Sequence, residues 1–164
     1  MPGIVVVQHM PPVFTKMYAD RLNNELPFTV TEGAQGVPVT PGSIHIAPGS
    51  NHMTLKRRST GWVTEIGNDV KVGGHCPAVD VLFESVAEAA GPMAVGIILT
   101  GMGADGARGL LSMRRRGAFT IGQDEASSVV YGMPKKAYEF GAVTRQAALN
   151  DIPRALLSYL SRAR

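Results

Sequence analysis

A chain of 164 residues with 45% hydrophobic and 18% charged residues is long enough to bury one sizeable core and too apolar to be intrinsically disordered. Its formal charge of +3 is too small and too dispersed to call for nucleic acid, and no run approaches the roughly 20 apolar residues of a membrane span. The single cysteine, Cys76, excludes an internal disulfide and suits a reducing compartment, so the expectation is a cytoplasmic protein without membrane insertion.

Gly3-Ile4-Val5-Val6-Val7-Gln8 opens the chain as a β-branched run, which predicts a strand buried on both faces of a parallel sheet. Pro11-Pro12 then starts a helix over about 13–24, with Phe14, Met17, Tyr18 and Leu22 at helical spacing. Residues 28–32, 43–47, 52–56 and 61–66 are short, often alternating segments cut by glycine and proline, as expected of strands that include a hairpin. A second helix begins near Ala78, with Val79, Leu82, Phe83, Val86 and Ala90 on one face.

From Met93 the pattern is plain β-α alternation: a strand over 95–99, a helix over 104–116 closed by Gly117, and a strand over 118–122. A short helix over 133–140 and an amphipathic one over 151–162 follow. Arg114-Arg115-Arg116 falls where a helix dipole favours cations and reads as a solvated last turn. Together these elements predict one α/β domain over 1–164: a doubly wound, mostly parallel sheet with helices on both faces and a short antiparallel hairpin. A βα unit normally precedes an apolar strand such as the opening one, so the N-terminus reads as truncated.

Ligand and catalytic groups in such sheets gather beyond the carboxyl ends of the strands. Gln8-His9-Met10-Pro11-Pro12 follows the first strand, and Thr100-Gly101-Met102-Gly103-Ala104-Asp105-Gly106 joins a later strand to its helix. If those strands are parallel, His9 and Asp105 share one rim. An imidazole acting as general base needs a carboxylate on its other ring nitrogen to fix its tautomer and stabilise the imidazolium that forms. The glycines around Asp105 leave amide N–H groups free near a helix N-terminus, where they suit an oxyanion. The pair alone also fits a purely structural hydrogen bond.

Other readings compete for the same residues. Gly101-x-Gly103-x-x-Gly106, with Asp124 downstream, is literally the dinucleotide fingerprint. Its late position weighs against it, as does a carboxylate at Asp105 beside the pyrophosphate it would have to hold. His45 alternates with apolar neighbours and reads as a strand-face residue. His52 and His75 form no metal-ligand spacing with each other or with Cys76, so no metal is expected. Cys76 reads as an inert thiol and Ser127-Ser128 as a turn; no serine stands in a Gly-x-Ser-x-Gly elbow.

Gln8-His9-Met10-Pro11 together with Leu99-Thr100-Gly101-Met102-Gly103-Ala104-Asp105-Gly106 closely resembles the catalytic domain of the chemotaxis protein-glutamate methylesterases. Ile46-Ala47-Pro48-Gly49 with His52-Met53, and Pro77-Ala78-Val79-Asp80-Val81-Leu82-Phe83, are similar to further family segments, as is Asp124-Glu125-Ala126-Ser127 leading to Tyr131-Gly132-Met133-Pro134. The resemblance implies a doubly wound α/β domain that hydrolyses glutamate γ-methyl esters on the cytoplasmic helices of chemoreceptors, and in many members also deamidates glutamines. It implies His9 as general base, Asp105 as the carboxylate that orients it, and the Met102 backbone amide as an oxyanion donor, with no cofactor.

The family's nucleophilic serine lies one βα unit before the Gln-His-Met-Pro segment, so no nucleophile is expected in this chain, and the chain alone is expected to be nearly inactive. A longer protein or another polypeptide would supply that segment, and a receiver domain often precedes it; a non-catalytic module that binds receptors is the alternative. Cys76 stands where relatives are expected to carry arginine.

Overall fold

The computed structural model describes residues 1–162. Its elements in chain order are β1 (Ile4–Val6), α1 (Phe14–Glu25), β2 (Thr29–Glu32), β3 (Ser43–Ile46), β4 (Met53–Arg58) and β5 (Gly61–Ile66). Then come α2 (Val79–Ala90), β6 (Val95–Ile98), α3 (Ala107–Arg115), β7 (Phe119–Gln123), α4 (Met133–Glu139), β8 (Arg145–Ala147) and α5 (Ile152–Arg162). Short 3-10 turns at Gly91–Met93 and Leu149–Asp151 precede β6 and α5.

The parallel strands form two three-stranded sheets, ordered β1-β3-β2 and β6-β7-β8, and β4-β5 is the antiparallel hairpin. Of the segments between 28 and 66, then, only the last two form a hairpin; β2 and β3 run parallel to β1. β1 and β6 each stand at the end of their sheet. That position explains why Ile4, Val5 and Val6 are half-buried instead of buried on both faces: with a paired neighbour on one side only, part of each side chain stays open.

Alternation along the strands sorts side chains between cores, since successive residues of a strand point to opposite faces. Val5 and Val7 pack into the central core with Ile98, while Ile4 and Val6 pack with Ala19, Val30, Ile44 and Ile46 beneath α1. In the second sheet Ile98 joins the central core with Leu82, Val86, Leu110 and Met113 of α2 and α3. Val95 and Ile97 turn the other way, toward Ile152 and Ala155 of α5. Helices therefore cover both faces of the second sheet, and the central core ties it to the first.

Three local readings change. α1 turns Thr15 and Ala19 inward, leaving Phe14 and Met17 more than half exposed, because the Thr15 hydroxyl bonds Glu32 and the Gly49 amide across the top of the sheet. Arg114 is not merely solvated: its guanidinium donates to the carbonyls of Gly141 and Val143 and ties the end of α3 to the α4–β8 connection. β8 was not expected, since two of its three residues are exposed polar side chains with no apolar pattern to report a strand.

Candidate active site

The segments that follow β1 and β6 meet through their side chains. His9 Nε2 lies 2.7 Å from Asp105 Oδ2. Nδ1 of His9 has no hydrogen-bond partner among the described residues. The ring therefore offers one nitrogen to the carboxylate and leaves the other unpaired among the described residues.

Asp105 is held by main chain as well as by His9. The Val79 amide donates to Oδ2 at 2.7 Å and the Asp80 amide to Oδ1 at 2.9 Å. Both amides belong to the first turn of α2, whose leading N–H groups have no partner inside the helix and favour an anion. Burial by itself pushes the Asp105 carboxyl up, but the hydrogen bonds from His9, Asp80 and Val79 outweigh it and hold the group below the ordinary carboxylate range. Asp105 is thus an anion at neutral pH. Its neighbour Asp80 is shifted the opposite way: burial raises it, opposed by the bond from the Gly109 amide, with the Asp105 charge adding to the rise.

The His9 end of the pair is shaped by loops. His75 stacks on the His9 ring, with centroids 4.1 Å apart and planes 8° from parallel. It reaches there from the loop between β5 and α2, which is anchored by the buried His52. Nε2 of His52 donates to the Val70 carbonyl, and its Nδ1 accepts the Ala78 amide. His52 is thereby a fully used ring, with both nitrogens bonded to backbone groups. Gly49 lets the β3–β4 loop lie on the backbone after His9: a Cβ there would come within 2.5 Å of the Pro11 carbonyl carbon and the Pro12 nitrogen. Between these loops lies an open depression of about 260 Å³, lined by His9, Pro11, Gly49, Lys71, His75 and Cys76 among others.

Met102 is 81% exposed, and its backbone N–H has no partner among the described residues. The geometry thus brings His9 and Asp105 together and leaves the Met102 amide without a hydrogen-bond partner among the described residues, in the glycine-rich turn that leads to Asp105. His45 is a buried strand residue, its two nitrogens bonded to the Thr31 hydroxyl and the Pro38 carbonyl. Burial pushes the Cys76 thiol up, with Asp69 adding and Lys71 opposing, so a thiolate nucleophile is disfavoured there. Ser127 lies in a turn and donates to Asp124, which places Asp124 in its own loop and away from any role in holding a ribose.

Among the described residues no group of three His, Cys, Asp or Glu side chains is arranged to hold a metal ion, and no helix is long and apolar enough to cross a membrane. Reading the sequence alone missed the Val79 and Asp80 amides, the His75 stack and the His52 anchor. The Pro77-Ala78-Val79-Asp80 segment was the available signal, standing out as a motif before it had a task.

Comparison with known proteins agrees with this architecture. The family described as CheB methylesterase matches residues 1–156. A protein-glutamate methylesterase/protein-glutamine glutaminase of Syntrophomonas wolfei is 58% identical over 160 residues, covering 98% of this chain and 47% of that protein. One from Hahella chejuensis is 54% identical over 156 residues, covering 95% and 42%. The crystal structure of the Thermotoga maritima CheB methylesterase catalytic domain superposes with a TM-score of 0.92 at 38% identity, covering 97% of this chain and 85% of that one. The chain therefore spans a little under half the length of these curated relatives and most of the solved domain.

Proposed function

The chain belongs to the CheB methylesterase family, and from that premise we propose that it carries the base, the orienting acid and one oxyanion donor of a serine esterase. The substrate is a glutamate γ-methyl ester on the cytoplasmic helices of a chemoreceptor, with glutamine deamidation as a second reaction of the same site. The nucleophile is a serine supplied by polypeptide outside these 164 residues, approaching the free edge of the His9 ring.

The observation that carries this reading is the His9–Asp105 contact of 2.7 Å, with Asp105 charged and anchored and Nδ1 of His9 unoccupied. In the reaction, Nδ1 accepts the serine proton as the serine oxygen attacks the γ-carbonyl carbon. The imidazolium that forms is stabilised by the Asp105 carboxylate through Nε2–H. The Met102 N–H donates to the developing oxyanion. Nδ1 then returns the proton to the departing methoxide, which leaves as methanol. Water, deprotonated by the same nitrogen, clears the acyl-enzyme. A glutamine differs only in that ammonia departs.

The direct test is methanol release from a methylated receptor fragment by a longer protein made by joining this chain to the serine-bearing segment of a relative. We expect release that is abolished by His9→Ala, and near-zero release by the 164-residue chain on its own. Release that survives His9→Ala, or that the short chain supports at the rate of the longer one, overturns the proposal.

A further inference from the structure

We propose that Gln123 is a positioning residue that, together with Thr100, locks the Gly101-Met102-Gly103 backbone in place and so aims the Met102 amide. This rests on the esterase reading above, which uses that amide but leaves the conspicuous segment from Asp124 to Met133 without a task.

Gln123 ends β7 and is completely buried, yet it is a polar side chain facing the central region between two loops. Its Oε1 accepts the Thr100 amide at 2.7 Å, at the end of β6, and its Nε2 donates to the Ser127 carbonyl at 2.8 Å. Ser127 is itself fixed, since its amide and hydroxyl both donate to Asp124 Oδ1. One buried amide thus joins the turn that carries Met102 to a rigid turn on the neighbouring strand.

The second half of the clamp starts at Thr100. Its hydroxyl donates to the Val130 carbonyl at 3.1 Å and accepts the Val130 amide at 2.9 Å. The Gly101 amide also donates to the Val130 carbonyl, and the Gly101 carbonyl accepts the amides of Gly132 and Met133. Gly132 makes this approach possible: a Cβ there would lie 2.6 Å from the Gly101 oxygen and 3.0 Å from the Gly103 nitrogen. The backbone is therefore bound up to residue 101, and the next N–H, that of Met102, is the first left open. An oxyanion donor is useful only if it is pre-aimed, because reorganisation at the moment of reaction cancels its electrostatic benefit. The Gln123–Thr100 clamp supplies that fixed aim.

The test compares Gln123→Met and Gln123→Glu with the unsubstituted sequence in the longer protein, reading kcat, KM, the pH profile and deuterium uptake over residues 99–104. Methionine matches glutamine in length but makes neither bond, and leaves the Thr100 amide without its acceptor. We expect kcat to fall about ten- to a hundredfold, with KM and the pH profile unchanged and deuterium uptake in that segment raised. Glutamate, which keeps an acceptor for Thr100, recovers part of the loss. If Gln123→Met does not fold, Thr100→Val at an exposed site removes only the bonds to Val130 and is expected to lower kcat in the same direction. A folded Gln123→Met or Thr100→Val protein whose kcat stays within about twofold, or in which KM alone changes, overturns the inference while leaving the esterase reading intact. An unsubstituted protein that releases no methanol overturns both.

Discussion

Asp105 and His9 meet at the same rim but are held by different means. The Asp105 side chain is 4% exposed and takes N–H bonds from two successive residues of α2 in addition to His9. The His9 side chain is 27% exposed, has one hydrogen bond, and is otherwise steadied by the face of His75. The acid belongs to the fold, closing the first turn of a helix that also packs the central core. His9 belongs to the rim, where fewer contacts hold it. On the proposed mechanism, stability and reactivity are thus concentrated on different members of one pair.

Removing each member in turn gives the sharpest test of that contrast, and the largest effects. In the longer protein, His9→Ala is expected to lower kcat by on the order of 10⁴- to 10⁶-fold while moving the unfolding free energy by no more than about 1 kcal/mol. Asp105→Ala is expected to cost on the order of 10⁴-fold in kcat and, in addition, about 3 kcal/mol of stability, because the Val79 and Asp80 amides lose their acceptor inside the protein. Urea midpoints measured beside the rates check both. Equal losses of stability in the two variants would break the contrast.

Acid is expected to have a smaller effect, on the same group. The Asp105 carboxyl is depressed in the folded chain, so between its folded and unfolded values the unfolded state binds more protons and stability rises with pH. Its contribution is complete above the ordinary carboxylate value of about 4 and is lost as pH falls through the lower folded value. Thermal unfolding followed downward from pH 6 is expected to show this acid-side loss, and Asp105→Ala is expected to flatten it. An unchanged slope in the variant would move the loss to other carboxylates.

The smallest effect lies on the His9 side. Val13, just after the His9 loop, has φ of 75°, in the left-handed region, and is 68% exposed. A β-branched residue is costly there. Val13→Gly is expected to raise stability by about 1 kcal/mol, measurable as a higher urea midpoint. A lower midpoint would show that the side chain contributes more than its backbone costs.

Much of this molecule is legible in its letters, for reasons that differ by element. The helices α2, α3 and α5 announce themselves because burying one face of a helix demands apolar residues at a fixed period, as Val79, Leu82, Val86 and Ala90 show. His9 and Asp105 can be proposed as partners because polar residues beyond the ends of two apolar strands must share a rim when those strands run parallel. β8 escapes, since a short strand with one buried residue leaves no pattern to read.

What the letters hold, then, is whatever a side chain must satisfy locally: the periods of the helices, the apolar runs of β1 and β6, and the chemistry available at His9 and Asp105. What only the assembled chain decides is which main-chain groups serve those side chains. Every residue but proline carries the same N–H, so nothing in the composition distinguishes the Val79 and Asp80 amides that hold the acid, or the Met102 amide left open. Likewise the stack of His75 on His9, 66 positions apart in number, and the reach of Gln123 to Thr100 arise from long-range placement. Such contacts depend on where loops meet in space, and no local period encodes that.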